Sequence, residues 1–201
     1  MNGATLKTTM KVIGLAGEAG CGKSAVAHKL SQQDDVTYVD LDKIAWQTYR
    51  PCTLVYRQLI ARYGNQILRS DGAISRGELG KIVFSDAKAL DDLNTIVHPA
   101  VNNHLQRIID NEKARGTELV VVEGALLASS PYVDNSLFDV VIWLKATLKT
   151  RVKRLRTAGR AKHGERRVPR PERSNVVTVS AEGTVDHIAD QILKVVRSLG
   201  H

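Results

Sequence analysis

The chain has 201 residues, 43% apolar and 25% charged, which suits one globular domain large enough to bury a core. No apolar run approaches the ~18 residues of a membrane span. Two cysteines make neither a disulfide framework nor a metal-ligand spacing, and an aromatic fraction of 4% argues against stacking platforms for single-stranded nucleic acid. The net charge of +8 leaves two partner classes, nucleic acid and small polyphosphorylated molecules.

Residues 1–9, MNGATLKTT, lack the apolar core of a signal peptide and are expected to form a disordered tail. Residues 11–16, KVIGLA, read as a buried strand. Residues 17–24, GEAGCGKS, then match the phosphate-loop pattern G-x-x-x-x-G-K-[ST] at Gly17, Gly22, Lys23 and Ser24. Beyond Ser24, the residues Val26, Ala27 and Leu30 share one helical face. Strand, glycine loop and helix form the context that the motif needs. Its glycines, Gly20 among them, let backbone N–H groups approach phosphate oxygens with no Cβ in the way. The helix start adds its positive end. Gly17, Gly20, Cys21, Gly22, Lys23, Ser24 and Ala25 are therefore expected to bind ATP. Lys23 reaches the β- and γ-phosphates as a mobile charge, and the Ser24 hydroxyl suits Mg²⁺, a cation of hard oxygen ligands. A thiol at a helix N-terminus can be acidic, but Cys21 reads first as a small loop filler. A cysteine in this loop points to a reducing cytoplasm.

Residues 36–40, VTYVD, form a second strand that ends in acid, and Asp42 follows two residues later. Carboxylates at the carboxyl edge of a parallel sheet stand where α/β folds place ligands. One acid would take the proton of an attacking hydroxyl, and the other would hold Mg²⁺ through water or fix a turn; alternatively, Asp42 only caps a helix over 43–49. The spacing predicts helices around Leu54, Leu59 and Ile60 up to Gly64, over 76–84, over 87–97, and from Pro99 to about 113. This helical region, about 43–115, is too long for a simple crossover and reads as a substrate-binding flap. Residues 119–123, LVVVE, are the third strand, and Glu123 either orients a magnesium-bound water or is a buried polar end. Residues 125–131 read as a loop, 138–144 (FDVVIWL) as the fourth strand, and 147–156 as a strongly basic helix. From Lys145 to Arg173, twelve basic residues face two acids. Such a block suits a mobile lid over phosphates, at about 157–174, more economically than an arm that binds RNA or DNA. Residues 175–180 make a fifth strand, and 184–199 an amphipathic helix begun by Thr184 or Gly183. The fold expected is α/β, a P-loop type with a parallel five-stranded sheet flanked by helices, a helical flap and a short lid, in one domain over 1–201.

Four stretches resemble the dephospho-coenzyme A kinase family. They are the first strand with GEAGCGKS; residues 38–45, YVDLDKIA, similar to the family's D-x-D segment and the apolar helix after it; Arg76, Leu79, Phe84, Leu93-Asn94 and His98-Pro99, at the family's R-x-x-L, F and L-N-x-x-x-H-P spacing; and residues 123–127, EGALL. The third discriminates, because most P-loop kinases lack it. The resemblance implies that ATP, with Mg²⁺, phosphorylates the ribose 3′-hydroxyl of dephospho-coenzyme A, in the cytoplasm. By position it implies Asp42 as the base, Lys23 on phosphate, Ser24 at the metal, Arg76 and His98 near the acceptor, and Arg156 and Arg160, four residues apart, as lid contacts to ATP. From their place at the sheet edge, Glu123 is the second metal candidate and Asp40 an acceptor-binding one. The sequence departs from the family's pattern at Ala125, at Ala128-Ser129, at Trp46, where a small or basic residue is usual, and after Arg160, where no Asp follows. Two other readings fit the loop: a P-loop kinase for a nucleoside or sugar, and a non-catalytic P-loop protein that binds nucleic acid through its arginines.

Overall fold

The computed structural model describes residues 9–124, 127, 130, 132–160, 170–171 and 175–199. The expected tail, most of the loop at 125–131 and most of the lid at 157–174 lie outside these residues.

The predicted strands become β1 (Lys11–Gly17), β2 (Val36–Asp40), β3 (Leu119–Glu123), β4 (Val140–Lys145) and β5 (Val176–Ser180). They form one parallel sheet in the order β2-β3-β1-β4-β5. A parallel sheet is covered on both faces, and the nearly continuous burial of β1, β3 and β4 follows from that. In one core, Ile13, Leu15, Val121, Ile142 and Leu144 pack with Val26, Ala27 and Leu30 of α1 (Lys23–Leu30). Ile188, Ala189 and Ile192 of the last helix, Val185–Ser198, join them. Thr184 begins that helix, its hydroxyl accepting from the His187 N–H at 3.2 Å. The register sets Leu15 and Asp40 on either side of Glu123, so acids gather at the carboxyl edge.

The described chain falls into two compact units. The sheet unit takes residues 1–40, 108–129 and 135–201, and the helical unit takes residues 41–107 and 130–134. The helical unit holds α2 (Leu41–Thr48), α3 (Leu54–Tyr63), α4 (Arg76–Ser85) and most of α5 (Ala87–Arg115). Thr53 and Ser75 cap α3 and α4, their hydroxyls accepting from the N–H groups of Tyr56 and Glu78. Leu59, Ile67, Leu79, Val97, Val101 and Leu105 are buried there.

Two elements differ from the reading of the sequence. The helix α2 begins at Leu41, so Asp42 lies inside its first turn and is not the cap of a later helix. The predicted break at Pro99 is absent, and α5 runs through it. Proline there removes one N–H, whose partner would be the Thr95 carbonyl, and its ring crowds that carbonyl. Burial on both sides of the proline outweighs this: Val97 is 6% exposed, His98 1% and Val101 0%. Two bonds fasten the same stretch. His98 Nε2 lies 3.0 Å from Ser130 Oγ, and Asn102 Nδ2 donates to the Tyr132 carbonyl at 2.9 Å.

Candidate active site

The sheet unit builds the phosphate loop on β1. Gly17, Gly20 and Gly22 have φ of 146°, 82° and 97°, a region that L side chains avoid. Space is as decisive as torsion. A Cβ on Gly17 would lie 2.6 Å from the Leu144 carbonyl oxygen, and one on Gly20 would lie 2.6 Å from that of Arg151. Cys21 is fully buried in the core beneath the loop. Burial pushes its thiol pKa up, with the Lys23 charge opposing, so Cys21 is a filler rather than a reactive thiolate. Lys23 Nζ donates to the carbonyls of Gly17, at 2.9 Å, and Glu18, at 3.4 Å. Ala25 follows on the exposed face of α1.

Glu123 meets the loop. Its Oε1 accepts from Ser24 Oγ at 2.9 Å, and its Oε2 accepts from Tyr38 OH at 2.9 Å. Ser24 and Glu123 thus present hard oxygen donors side by side, with Asp40 next in the sheet register. Such a set suits Mg²⁺, which takes one or two protein ligands and fills its other positions with water and phosphate oxygens. Tyr38 fixes the second carboxylate oxygen, a contact that the local sequence of β2 does not mark.

The helix α6 (Leu148–Thr157) closes the outside of the loop, a role that the sequence did not reveal. Arg151 is 4% exposed. Its Nε donates to the Ala19 carbonyl at 2.9 Å, and its guanidinium meets Glu18 Oε2 at 2.7 Å. Arg154 donates to the Cys21 carbonyl at 3.0 Å. The peptides of the described residues are trans, so a C=O drawn toward α6 leaves the next N–H pointing the opposite way. The N–H groups of Gly20 and Gly22 therefore face away from α6. Arg156 and Arg160 are exposed, and their side chains make no hydrogen bond or ion pair among the described residues. The backbone there caps α6: Gly159, at φ 67°, donates to the Arg156 carbonyl, and Arg160 donates to that of Leu155. Beside the loop, Thr150, Lys153, Arg154, Glu182 and Gly183 line an open groove of about 510 Å³. Bonds from the Thr147 N–H and the Thr150 hydroxyl hold the Glu182 carboxyl below its usual range.

In the helical unit, Asp42 and Trp46 stand at i and i+4 in α2, the spacing of one helix face, and Tyr49 directly follows the end of that helix. The Arg76 guanidinium carbon stands 3.6 Å from the centre of the Trp46 ring. Burial raises the Tyr49 phenol pKa, while the Arg76 charge opposes the rise and the Asp42 charge adds to it. His98 is interior, stacked on Tyr132 at 5.8 Å between ring centres. Its Nδ1 has no hydrogen-bond partner among the described residues, and burial lowers its pKa. The imidazole is therefore neutral near pH 7, with Nε2 turned to Ser130.

The family model described as dephospho-CoA kinase matches residues 11–179. The chain belongs to the dephospho-CoA kinase family. That membership makes it a kinase, and the match takes in the phosphate loop, β2, the helical unit, β3 and α6. A dephospho-CoA kinase of Thermobifida fusca is 37% identical over 151 residues, 75% of this chain and 72% of the relative. One from Listeria monocytogenes is 36% identical over 145 residues, 72% and 71% of the two chains. Solved structures share the fold. A Thermus thermophilus protein superposes with a TM-score of 0.70 at 24% identity, covering 94% of this chain and 97% of that one. The dephospho-CoA kinase of Campylobacter jejuni superposes at 0.60 with 16% identity, covering 94% and 96%.

Proposed function

We propose that this kinase transfers the γ-phosphoryl group of ATP to the ribose 3′-hydroxyl of dephospho-coenzyme A, which completes coenzyme A. The observation that carries the reading is the family match across residues 11–179, on a chain whose phosphate loop is intact. It favours this acceptor over a nucleoside, a sugar or a nucleic acid. ATP and the reduced state of Cys21 and Cys52 both fit a cytoplasmic setting.

The loop N–H groups and Lys23 take the triphosphate, with Gly17, Gly20, Cys21, Gly22, Ser24 and Ala25 around it. The groove of Thr150, Arg154 and Gly183 takes the adenine side of ATP. Ser24 and Glu123 would hold Mg²⁺, which would supply positive charge to the phosphate oxygens. Asp42 orients the acceptor hydroxyl and receives its proton as the new O–P bond forms and the bond to the β-phosphate bridging oxygen breaks. Proton transfer is late in such a loose transition state, so an ordinary carboxylate serves. Arg76 and Asp40 bind the acceptor, and His98 shapes the helical wall that carries it. Arg156 and Arg160 add charge over the γ-phosphate in a lid spanning about 157–174. In this reading both units work as one kinase domain.

An ADP-release assay with Mg²⁺-ATP tests the proposal, comparing dephospho-coenzyme A with adenosine, uridine and no acceptor. The expected result is release that depends on dephospho-coenzyme A, with coenzyme A as product. Release with adenosine or uridine alone would replace the acceptor, and no acceptor-dependent release would remove the kinase reaction proposed.

A further inference from the structure

Trp46 is 40% exposed, a large apolar surface left in contact with water. It stands where the family resemblance leads one to expect a small or basic residue. Arg76, the first residue of α4, covers it at 3.6 Å. A guanidinium whose carbon stands 3.6 Å over a ring centre meets that ring through its face, which leaves its N–H donors around the rim. Stacking consumes none of them, and among the described residues none is donated to protein. The ring fixes the plane and lowers the entropy that an arginine loses when it grips a ligand. The result is a preset fork for two oxygens of one phosphate.

Its position selects the ligand. Trp46 follows Asp42 by four residues, about 6 Å along α2 and on the same face. Tyr49, directly after the end of α2, feels both the Arg76 charge and the Asp42 charge. An acceptor whose hydroxyl lies at Asp42 therefore has its next group at the Arg76 fork. In dephospho-coenzyme A, the 3′-hydroxyl and the 5′-diphosphate are carried on one ribose, a single sugar apart.

We propose that Trp46 is a positioning residue of the acceptor site, which holds Arg76 as the receptor for the acceptor's 5′-diphosphate one helical turn from Asp42. The inference rests on the function proposed above. It assigns the tryptophan a part in acceptor affinity and none in ATP binding.

Steady-state kinetics on the full chain separate these roles. Trp46→Leu is expected to raise KM for dephospho-coenzyme A about threefold to tenfold, the range of a cation–π contact, with KM for ATP unchanged and kcat within about twofold. Trp46→Tyr, which keeps a ring under the guanidinium, restores most of the affinity. An unchanged acceptor KM in Trp46→Leu, or equal losses in the Leu and Tyr variants, overturns the proposal. A binding readout stands apart from turnover. Trp143 is buried in β4 at 6% exposure, so in a Trp143→Phe background the emission reports Trp46. Titration with inorganic pyrophosphate should shift that emission in the Lys23→Ala protein, where the loop is disabled, and not in Arg76→Ala. If pyrophosphate shifts it but dephospho-coenzyme A is not phosphorylated, the anion receptor holds and the acceptor named above falls. If dephospho-coenzyme A is phosphorylated while Trp46 responds to neither ligand, the receptor falls and the function holds.

Discussion

Lys23 carries the one positive side-chain charge of the loop motif, and it spends that charge on two loop carbonyls, those of Gly17 and Glu18. Bonds to neutral carbonyls are weaker than those a phosphate offers, so the ammonium is free to exchange them for ATP. Lys23→Ala should abolish measurable turnover while circular dichroism stays that of the parent; a near-normal rate would remove Lys23 from phosphate binding. Asp42 is testable in the same way. Asp42→Asn keeps size and helix position but cannot take a proton, so kcat should fall by about 10²-fold or more with ATP affinity kept. An unchanged kcat would leave Asp42 as a first-turn acid that stabilises α2. At this scale the loop residues were legible, because the motif is local and its spacing is its meaning. Tyr38 and Arg151 were not. Their partners, Glu123 and Glu18, lie 85 and 133 residues away along the chain, and no local periodicity records such pairings.

Among the elements, α6 shows how the basic block divides. Its sequence is basic throughout, and composition alone assigned that charge to the lid. The helix in fact turns Arg151 inward, against the loop, and leaves Arg156 exposed, as is Arg160 beyond its end. Arg151→Ala would strand Glu18 and free the Ala19 carbonyl, at a cost of roughly 2–3 kcal/mol, read as a lower denaturation midpoint. Mg²⁺-ATP should then recover part of the stability, because ligand binding favours the ordered loop. The helix α5 offers the other lesson. A proline rule applied to sequence alone broke it at Pro99, whereas burial on both sides keeps it whole. The same burial makes His98 a pH sensor of stability. Its pKa is lowered when folded, so below about pH 6.5 the unfolded chain binds a proton that the folded chain refuses, and stability falls with pH. Thermal melts at pH 7.5 and 5.5 should show this loss, and His98→Gln should shrink the difference between them. A difference of the same size in the variant would assign the pH dependence to other groups.

Across the whole molecule, the alternation of strands and helices was enough to predict a parallel five-stranded sheet, because buried parallel strands read as apolar runs and the phosphate loop fixes the first of them. The strand order was beyond it, since which strand lies beside β1 depends on crossovers that no single segment encodes. Charge at this scale separates the remaining functional classes. A net charge of +8 attracts any polyanion, but the number of phosphates engaged differs. Nucleic acid held by six to ten phosphates loses about 10³–10⁵ in affinity between 50 and 200 mM salt, through counterion release. Dephospho-coenzyme A brings a single diphosphate, and the guanidinium proposed to receive it is that of Arg76. Its KM should therefore rise only a few-fold over the same range of salt, and filter binding of single-stranded RNA should be weak at 150 mM. The opposite pattern, steep salt dependence and tight RNA binding, would mean that the basic block grips a phosphate backbone, and the acceptor would have to be sought among nucleic acids.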